Sequence, residues 1–434
     1  RPPCPKAVRI MDIFLPGPIR RAIELLEAAG HETWLVGGSV RDHLLGAAVK
    51  DWDLVTSAPA DAVRAVLADY PLVPVGARFG TLSLAVPGLK GEVSSFRGPD
   101  IVADLRLRDF TVNAMAWHPQ RGLADPCGGR ADLARRLLRC PGRAEDIFRA
   151  DALRMVRAAR FAAVLGFSVE ATALAAIKEL NALVDDVSTE RIREELSRIL
   201  VSPRPRLGID LLRETGLLAR ILPELQACVG VEQYSPYHTE DVYRHTLTVV
   251  ENTPPDLSVR LAALMHDIGK PRSLARDERG RSRFFGHEQL GAELAGKILR
   301  RLRYDNKTIA VVGKLVRHHM LRLNYPGMNP AKLLARVGNA DVFRLFALQE
   351  ADAGGDERSL EAIRQMRARV QAALAKGRPF ARSDLAVSGR DLMELGIAPG
   401  PELGRVLDRL LEAVIDDPGL NEREKLLALA RQLR

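Results

Sequence analysis

The spacing of apolar positions changes character along the chain. Up to about residue 125 it is made of short apolar or alternating runs broken by glycine, and beyond residue 131 it becomes helical. Pro18 to Ala29 carries an amphipathic helical pattern, with proline at its start and Gly30 at its end. Trp34-Leu35-Val36 predicts a short buried strand. Gly37-Gly38 follows, where the chain can turn sharply. Ser39 is expected to cap a helix over Val40 to Leu45 that stops at Gly46. Lys50 to Val55 reads as a second strand, and Ala58 to Ala68 as a helix. Leu72 to Val75, Thr81 to Val86 and Gly91 to Phe96 read as short strands, with Gly76 and Gly80 between the first two. These elements predict a small α/β head with a mixed or antiparallel sheet.

From Ala131 to about Leu225 the period is nearly all helical, and arginine is frequent. Glu190 to Leu196 opens a helix with Ser188 or Thr189 as its cap. Val259 to Met265 is an apolar helix that delivers His266-Asp267, and Gly269 and Pro271 stop it. Ala368 to Arg382, around Lys376-Gly377, reads as a linker or the end of a long helix. Leu385 to Leu433 forms a last helical unit with turns at Gly396, Pro399-Gly400 and Pro418-Gly419. The class is α+β. The expected division is a head (1–125), a helical neck (126–230), a histidine-bearing helical domain (231–367) and a helical tail (368–434).

Composition narrows this little. At 434 residues the chain has room for two to four domains, and 47% hydrophobic with 27% charged residues is ordinary for a globular protein. No apolar run approaches the ~20 residues that span a bilayer. The opening residues carry no signal-peptide pattern. The four cysteines, Cys4, Cys127, Cys140 and Cys228, form no CxxC pair. A cytoplasmic protein without structural disulfides or zinc is expected. The net charge of +9 favours a polyanionic partner such as nucleic acid.

The candidate chemistry falls in three places. A strand, a glycine turn and a helix start at Trp34 to Leu45 suit a phosphate. Asp51 and Asp53 would share one face of a strand, with Trp52 turned into the core. Two carboxylates side by side repel unless a cation lies between them, and hard oxygen ligands suit Mg²⁺. Taken singly, GG is a turn and DxD a solvated strand end; their combination points to a metal-bound triphosphate. Next, Asp151, Arg154 and Arg157 have the i, i+3 spacing of one helical face, with Arg160 beyond. They form either an ion-paired face or a protein template for a nucleobase. A carboxylate accepts from the exocyclic amine of cytosine or adenine, and a guanidinium donates to the neighbouring acceptor. Finally, six of the nine histidines, His238, His245, His266, His287, His318 and His319, fall between 238 and 319. His245, His266, Asp267 and Asp352 are candidate metal ligands, with His287 and His318 as additional candidates.

Together these stretches resemble the bacterial class II tRNA nucleotidyltransferases, the CCA-adding enzymes and poly(A) polymerases, carrying a domain similar to the HD phosphohydrolases. LVGGSVRD with KDWDL looks like the family's metal motif, and RDFTVNAMA like its ribose-selecting motif. DPCGGRADL looks like its hinge, ADALRMVRAARFAAVLGF like its base-templating motif and STERIREEL like its neck helix. VSGRDLMELGIAPGPELG resembles its C-terminal segment. The resemblance implies nucleotidyl transfer from CTP, with ATP as an alternative, to the 3′ end of tRNA. Asp51 and Asp53 would be catalytic and hold Mg²⁺. Gly37, Gly38 and Arg41 would hold the triphosphate, and Arg108, Asp109 and Asn113 the ribose. Asp151 and Arg154 would select the base, with Arg157 and Arg160 beside them. A second divalent metal (Mn, Ni, Fe or Mg) would occupy the HD site.

Three departures stand out. Leu107 replaces the first arginine of the ribose motif, and Ala150 the glutamate of the templating motif. Only RGPDIVA separates Phe96 from Asp104, where members that add all three nucleotides have a longer loop. The short link implies a CC-adding enzyme, followed by a separate A-adding one. Full CCA addition and A or poly(A) addition are the alternatives within the class. Outside it stand an HD phosphodiesterase or phosphatase and a non-catalytic RNA-binding protein.

Overall fold

A computed structural model describes residues 13–74, 81–233, 240–276, 278, 282–325, 328–375 and 382–433. Gly76, Gly80, His238 and Lys376-Gly377 lie outside the described residues. The fold is α+β, and the chain divides into two compact units. One runs to Val187 and includes Asp210–Arg220; the other comprises Ser188–Ile209 and Ile221 onward.

The first unit is built on a seven-stranded sheet: β1 (Thr33–Val36), β2 (Asp51–Thr56), β3 (Leu72–Pro74), β4 (Leu82–Val86), β5 (Leu89–Ser95), β6 (Ala116–His118) and β7 (Gly122–Ala124). The spatial order is β3-β4-β5-β2-β1-β6-β7, with β2 and β5 parallel and the other pairs antiparallel. The expected mixed sheet is present. Its helices are α1 (Gly17–Ala28), α2 (Gly38–Leu44), α3 (Ala60–Val66), α4 (Ile101–Arg106), α5 (Gly129–Arg135), α6 (Ala144–Ala150) and α7 (Leu153–Leu165). Trp34, Val36 and Val55 of the central strands pack on Ile101 and Leu105 of α4 and on Ala114 and Ala116. That packing sets α4 and the turn after it against the sheet at the end where β1 runs into the paired glycines.

Two local expectations are corrected. Ser39 does not cap α2; Gly37 occupies the cap position, and Ser39 lies inside the helix with its side chain buried. Its hydroxyl donates to the Asp51 carbonyl (2.9 Å) and accepts from the Asp53 N–H (3.1 Å), so it pins the strand carrying the aspartates. Asp151 does not share a helix with Arg154 and Arg157. It ends α6 in an extended conformation, and its carboxylate accepts from the Leu153 N–H that opens α7.

The second unit is helical among its described residues, apart from a small hairpin at Leu274–Arg276 and Ser282–Phe284. Arg260 is buried and donates to the carbonyls of Leu200, Ser202 and Thr253. It thereby ties the end of the helix Thr189–Leu200 to the turn that precedes the helix Leu257–Met265. A separate core, centred on Leu392, Leu410, Val414 and Leu426, holds the C-terminal helices. Among the described residues no helix is long and apolar enough to cross a membrane.

Gly129 is where the hinge meets the head. A Cβ there would lie 2.3 Å from the Thr111 carbonyl oxygen and 2.8 Å from Met115 Cγ. Gly129→Ala is expected to cost about 1–3 kcal/mol through overpacking. Urea unfolding measures this, and a midpoint equal to the parent's would refute the tight contact.

Candidate active site

Along β2 exposure alternates. Asp51 is exposed, Trp52 buried and Asp53 half-buried, so the two carboxylates share a face as the strand period requires. β5 adds a third acid, because Glu92 is the register partner of Asp53. Burial, then Glu92, then Asp51 push the Asp53 carboxyl up to about 6, while Arg108 and Arg41 pull the other way. Three acids with only oxygen donors fit a hard divalent cation, which would relieve that repulsion.

The basic side chains converge on the same place. Gly37 has φ +68°, and a Cβ there would meet Arg108 Nη1 at 3.0 Å; Arg41 Nη2 lies 3.5 Å from where a Gly38 Cβ would be. The two glycines therefore sit beneath two guanidinium groups. Arg108 donates from Nε and Nη2 to Asp104 Oδ2 (3.1 and 3.0 Å), and the other Asp104 oxygen accepts from the Arg97 N–H. Arg41 donates to Asn113 Oδ1, and Asn113 Nδ2 donates to Asp109 Oδ1 at 3.0 Å. Asp109 Oδ2 in turn accepts from Arg157 Nε (2.9 Å) and Nη2 (2.6 Å). Burial alone would raise the Asp109 carboxyl; Arg157, Asn113 and the Phe110 N–H hold it well below the usual carboxylate range.

One hydrogen-bonded chain thus runs from Arg41 through Asn113 and Asp109 to Arg157 on α7. The ring of Phe161 gathers the same cations, with Arg160 at 3.9 Å and Arg41 and Arg157 each at 5.4 Å from its centroid. Arg154 is anchored by donating to the carbonyls of Leu107 (2.8 Å) and Ile147 (3.3 Å). Reading the sequence missed Glu92 and Asp104. The alternation of β5 puts Glu92 outward, but only the strand pairing puts it opposite Asp53.

A second cluster lies in the helical unit. His245 Nε2 lies 3.0 Å from Asp352 Oδ1, and His266 Nε2 3.2 Å from Asp267 Oδ2. His287 Nε2 and His319 Nε2 lie 3.4 and 3.9 Å from Asp267 Oδ1. His318, named from the sequence, is not part of it. It is half-buried, and burial together with Arg317, Arg336 and Lys314 disfavours its protonation. His319 takes the place because Val312, Leu315, Val316 and His319 form the buried stripe of one helical face. That period was available in the sequence.

His266, His287 and His319 each place Nδ1 within 2.8 Å of the carbonyl three residues earlier. The proton then belongs on Nδ1, and Nε2 faces inward with a lone pair, the arrangement of metal-ligating histidine. The Nε2 atoms of His287 and His319 are buried without a hydrogen-bond partner. His245, His266 and Asp267 form one potential metal triad, and Asp267, His287 and His319 a second. The donor set fits transition metals or Mg²⁺. Lys270 Nζ, 2.6 Å from Asp267 Oδ2 and 2.7 Å from Gln233 Oε1, was not expected from sequence.

A nucleotidyltransferase head followed by a helical body is the class that this fold and site define. Residues 33–139 match the family profile described as poly A polymerase head domain. Residues 166–228 match one described as probable RNA and SrmB-binding site of polymerase A, and 284–430 one described as tRNA nucleotidyltransferase domain 2, putative. An A-adding tRNA nucleotidyltransferase of Deinococcus radiodurans is 37% identical over 398 residues, covering 87% of this chain and 90% of the relative. A CC-adding tRNA nucleotidyltransferase of Thermus thermophilus is 35% identical, covering 87% and 88%. The crystal structure of a Bacillus stearothermophilus CCA-adding enzyme in complex with CTP superposes with a TM-score of 0.74 at 27% identity, covering 96% of this chain and 98% of that one. The chain belongs to the tRNA nucleotidyltransferase family.

Asp53 supplies a pH test. Its folded value, about 6, lies above the ordinary 3.8, so between those pH values the folded state holds the extra proton. Its contribution in the metal-free protein falls as pH rises through that window. Mg²⁺ binding near pH 5.5 is expected to release a proton. Calorimetry in buffers of different ionisation enthalpy reads that release, which Asp53→Asn should remove; an unchanged value in the variant would refute the assignment.

Proposed function

We propose that the chain transfers nucleotidyl groups from CTP to the 3′ end of tRNA without a nucleic acid template, and leans to the CC-adding subtype. The observation that carries the reading is the continuity of the head site. Paired acids on β2, guanidinium groups over Gly37-Gly38 and the base-templating helix α7 share one hydrogen-bonded network. A divalent cation held by Asp51 and Asp53 would offset charge on the transferred phosphoryl group and favour ionisation of the tRNA 3′-hydroxyl. Gly37 and Gly38 let the triphosphate approach the backbone, and Arg41 and Arg108 neutralise it. Asn113 and Asp104 orient those two arginines, so little reorganisation is needed when charge moves. Asp151 and Arg154 read the Watson–Crick edge of the base. Helical surfaces of the neck (126–230) and tail (368–434) grip tRNA phosphates, with salt-sensitive affinity.

The short connection supports the subtype. Only Phe96 to Asp100 separate β5 from α4. Asp100 caps α4 by accepting from the Ala103 N–H, and a Cβ on Gly98 would lie 2.6 Å from that of Ala103. A link this tightly tied has no length to refit a pocket from cytosine to adenine. The similar chains include A-adding and CC-adding enzymes at nearly equal identity, so similarity favours neither. Incubating tRNA that ends at the discriminator base with CTP, then with CTP and ATP, tests the subtype. Growth by two residues in both is expected; three residues with ATP present would establish full CCA addition instead.

A second reading rests on the histidine cluster, whose unpaired inward-facing Nε2 atoms favour a metal-dependent phosphodiesterase or phosphatase in the same chain. Asp53→Ala should reduce nucleotide incorporation by about a thousandfold or more. Asp267→Ala should leave incorporation intact while weakening divalent-metal uptake, measured by metal content after dialysis. Loss of incorporation in the second variant would contradict the separation of the two sites.

A further inference from the structure

The resemblance gives Asp109 to the ribose, yet Asp109 has no capacity left for it. A carboxylate offers four lone-pair positions. On Oδ1 they are taken by the Phe110 N–H (2.8 Å) and Asn113 Nδ2 (3.0 Å), and on Oδ2 by Arg157 Nε (2.9 Å) and Nη2 (2.6 Å). A ribose hydroxyl could donate to Asp109 only by displacing one of these donors. Displacing Arg157 would strand a buried charge, which is costly.

Exposure points the same way. The Asp109 side chain is 6% exposed and that of Arg157 33%. The member of the pair that meets the site is the arginine. Its guanidinium is a planar fork, so engaging Nε and Nη2 against one oxygen turns the Nη1 edge away from Asp109. Phe161, 5.4 Å below its centre, restrains the plane. Asn113 joins the pair to Arg41, beside the paired glycines, which places it in the nucleotide site rather than behind it.

We propose that Arg157 contacts the sugar hydroxyl of the incoming nucleoside triphosphate and sets the preference for ribose over deoxyribose, with Asp109 acting through it as a positioning residue. This rests on the nucleotidyl-transfer reading and assigns the sugar contact within it. The hydroxyl oxygen accepts from the guanidinium edge, a charge-assisted hydrogen bond that a 2′-deoxy sugar cannot form.

The test compares kcat/KM for CTP and dCTP on tRNA ending at the discriminator base, using the full chain. Arg157→Lys keeps a cation beside Asp109, so the buried carboxylate stays paired, but removes the planar edge. The CTP-to-dCTP ratio is expected to fall roughly ten- to a hundredfold, with the loss on CTP and the dCTP value little changed. Asp109→Asn should lower the ratio in the parent and add nothing in the Arg157→Lys background, a non-additivity that a separate ribose contact would not give. If circular dichroism shows the lysine variant unfolded, Arg157→Gln, whose amide can still donate to Asp109, takes its place. A preserved ratio, or equal losses on CTP and dCTP, overturns the assignment while leaving transfer itself established. Absence of any CTP incorporation by the parent chain overturns the transfer reading, and this assignment with it.

Discussion

A carboxylate that is fully enclosed cannot be left unpaired, and Asp109 is such a group. Its four donors come from the backbone of the 106–117 stretch, from Asn113 and from α7. Satisfying it fixes where α7 lies relative to the turn after α4. Through Asn113 it also fixes the guanidinium of Arg41, and so the cation nearest the paired glycines. The requirement that a buried charge be compensated therefore does the geometric task that substrate binding would otherwise have to do. The motifs are far apart in sequence, and this one residue makes them a single site.

The same logic governs the acids and bases around it. Asp104 is buried and spends one oxygen on Arg108 and the other on the backbone of the 97–100 link. Shortening that link is thus coupled to the placement of a phosphate-binding arginine. Asp53 is the opposite case. Its neighbours include two other acids, and its carboxyl is pushed upward instead of held down. Side chains that are over-satisfied act as scaffold, and those left under-compensated mark where a ligand belongs. The histidine cluster repeats the contrast in the helical unit, since three rings are anchored at Nδ1 and two of them leave Nε2 unpaired.

Much of this was legible in the chain. The strand period put Asp51 and Asp53 on one face, and the glycine pair marked the close approach. The apolar run before His266 placed a histidine and an aspartate at a helix end. These are local properties, set by sterics and spacing over a few residues. The positions that misled were of the same kind read one step too far. Ser39 has the look of a cap, but its hydroxyl is taken by the neighbouring strand. Asp151 has helical spacing to Arg154, but the chain bends between them. His318 and His319 are adjacent, and only the buried stripe of the helix separates their roles.

By itself the sequence determined the elements, their order, the motifs and the family, because period, turn chemistry and spacing act within short stretches of chain. Tertiary structure decided which charges face one another. Glu92 opposite Asp53, Asp104 under Arg108 and Arg157 on Asp109 are contacts between segments up to 48 residues apart. Their energies depend on burial and on partners that no local pattern records. The division between groups that bind and groups that only hold is electrostatic, and it exists only once the chain has closed around them.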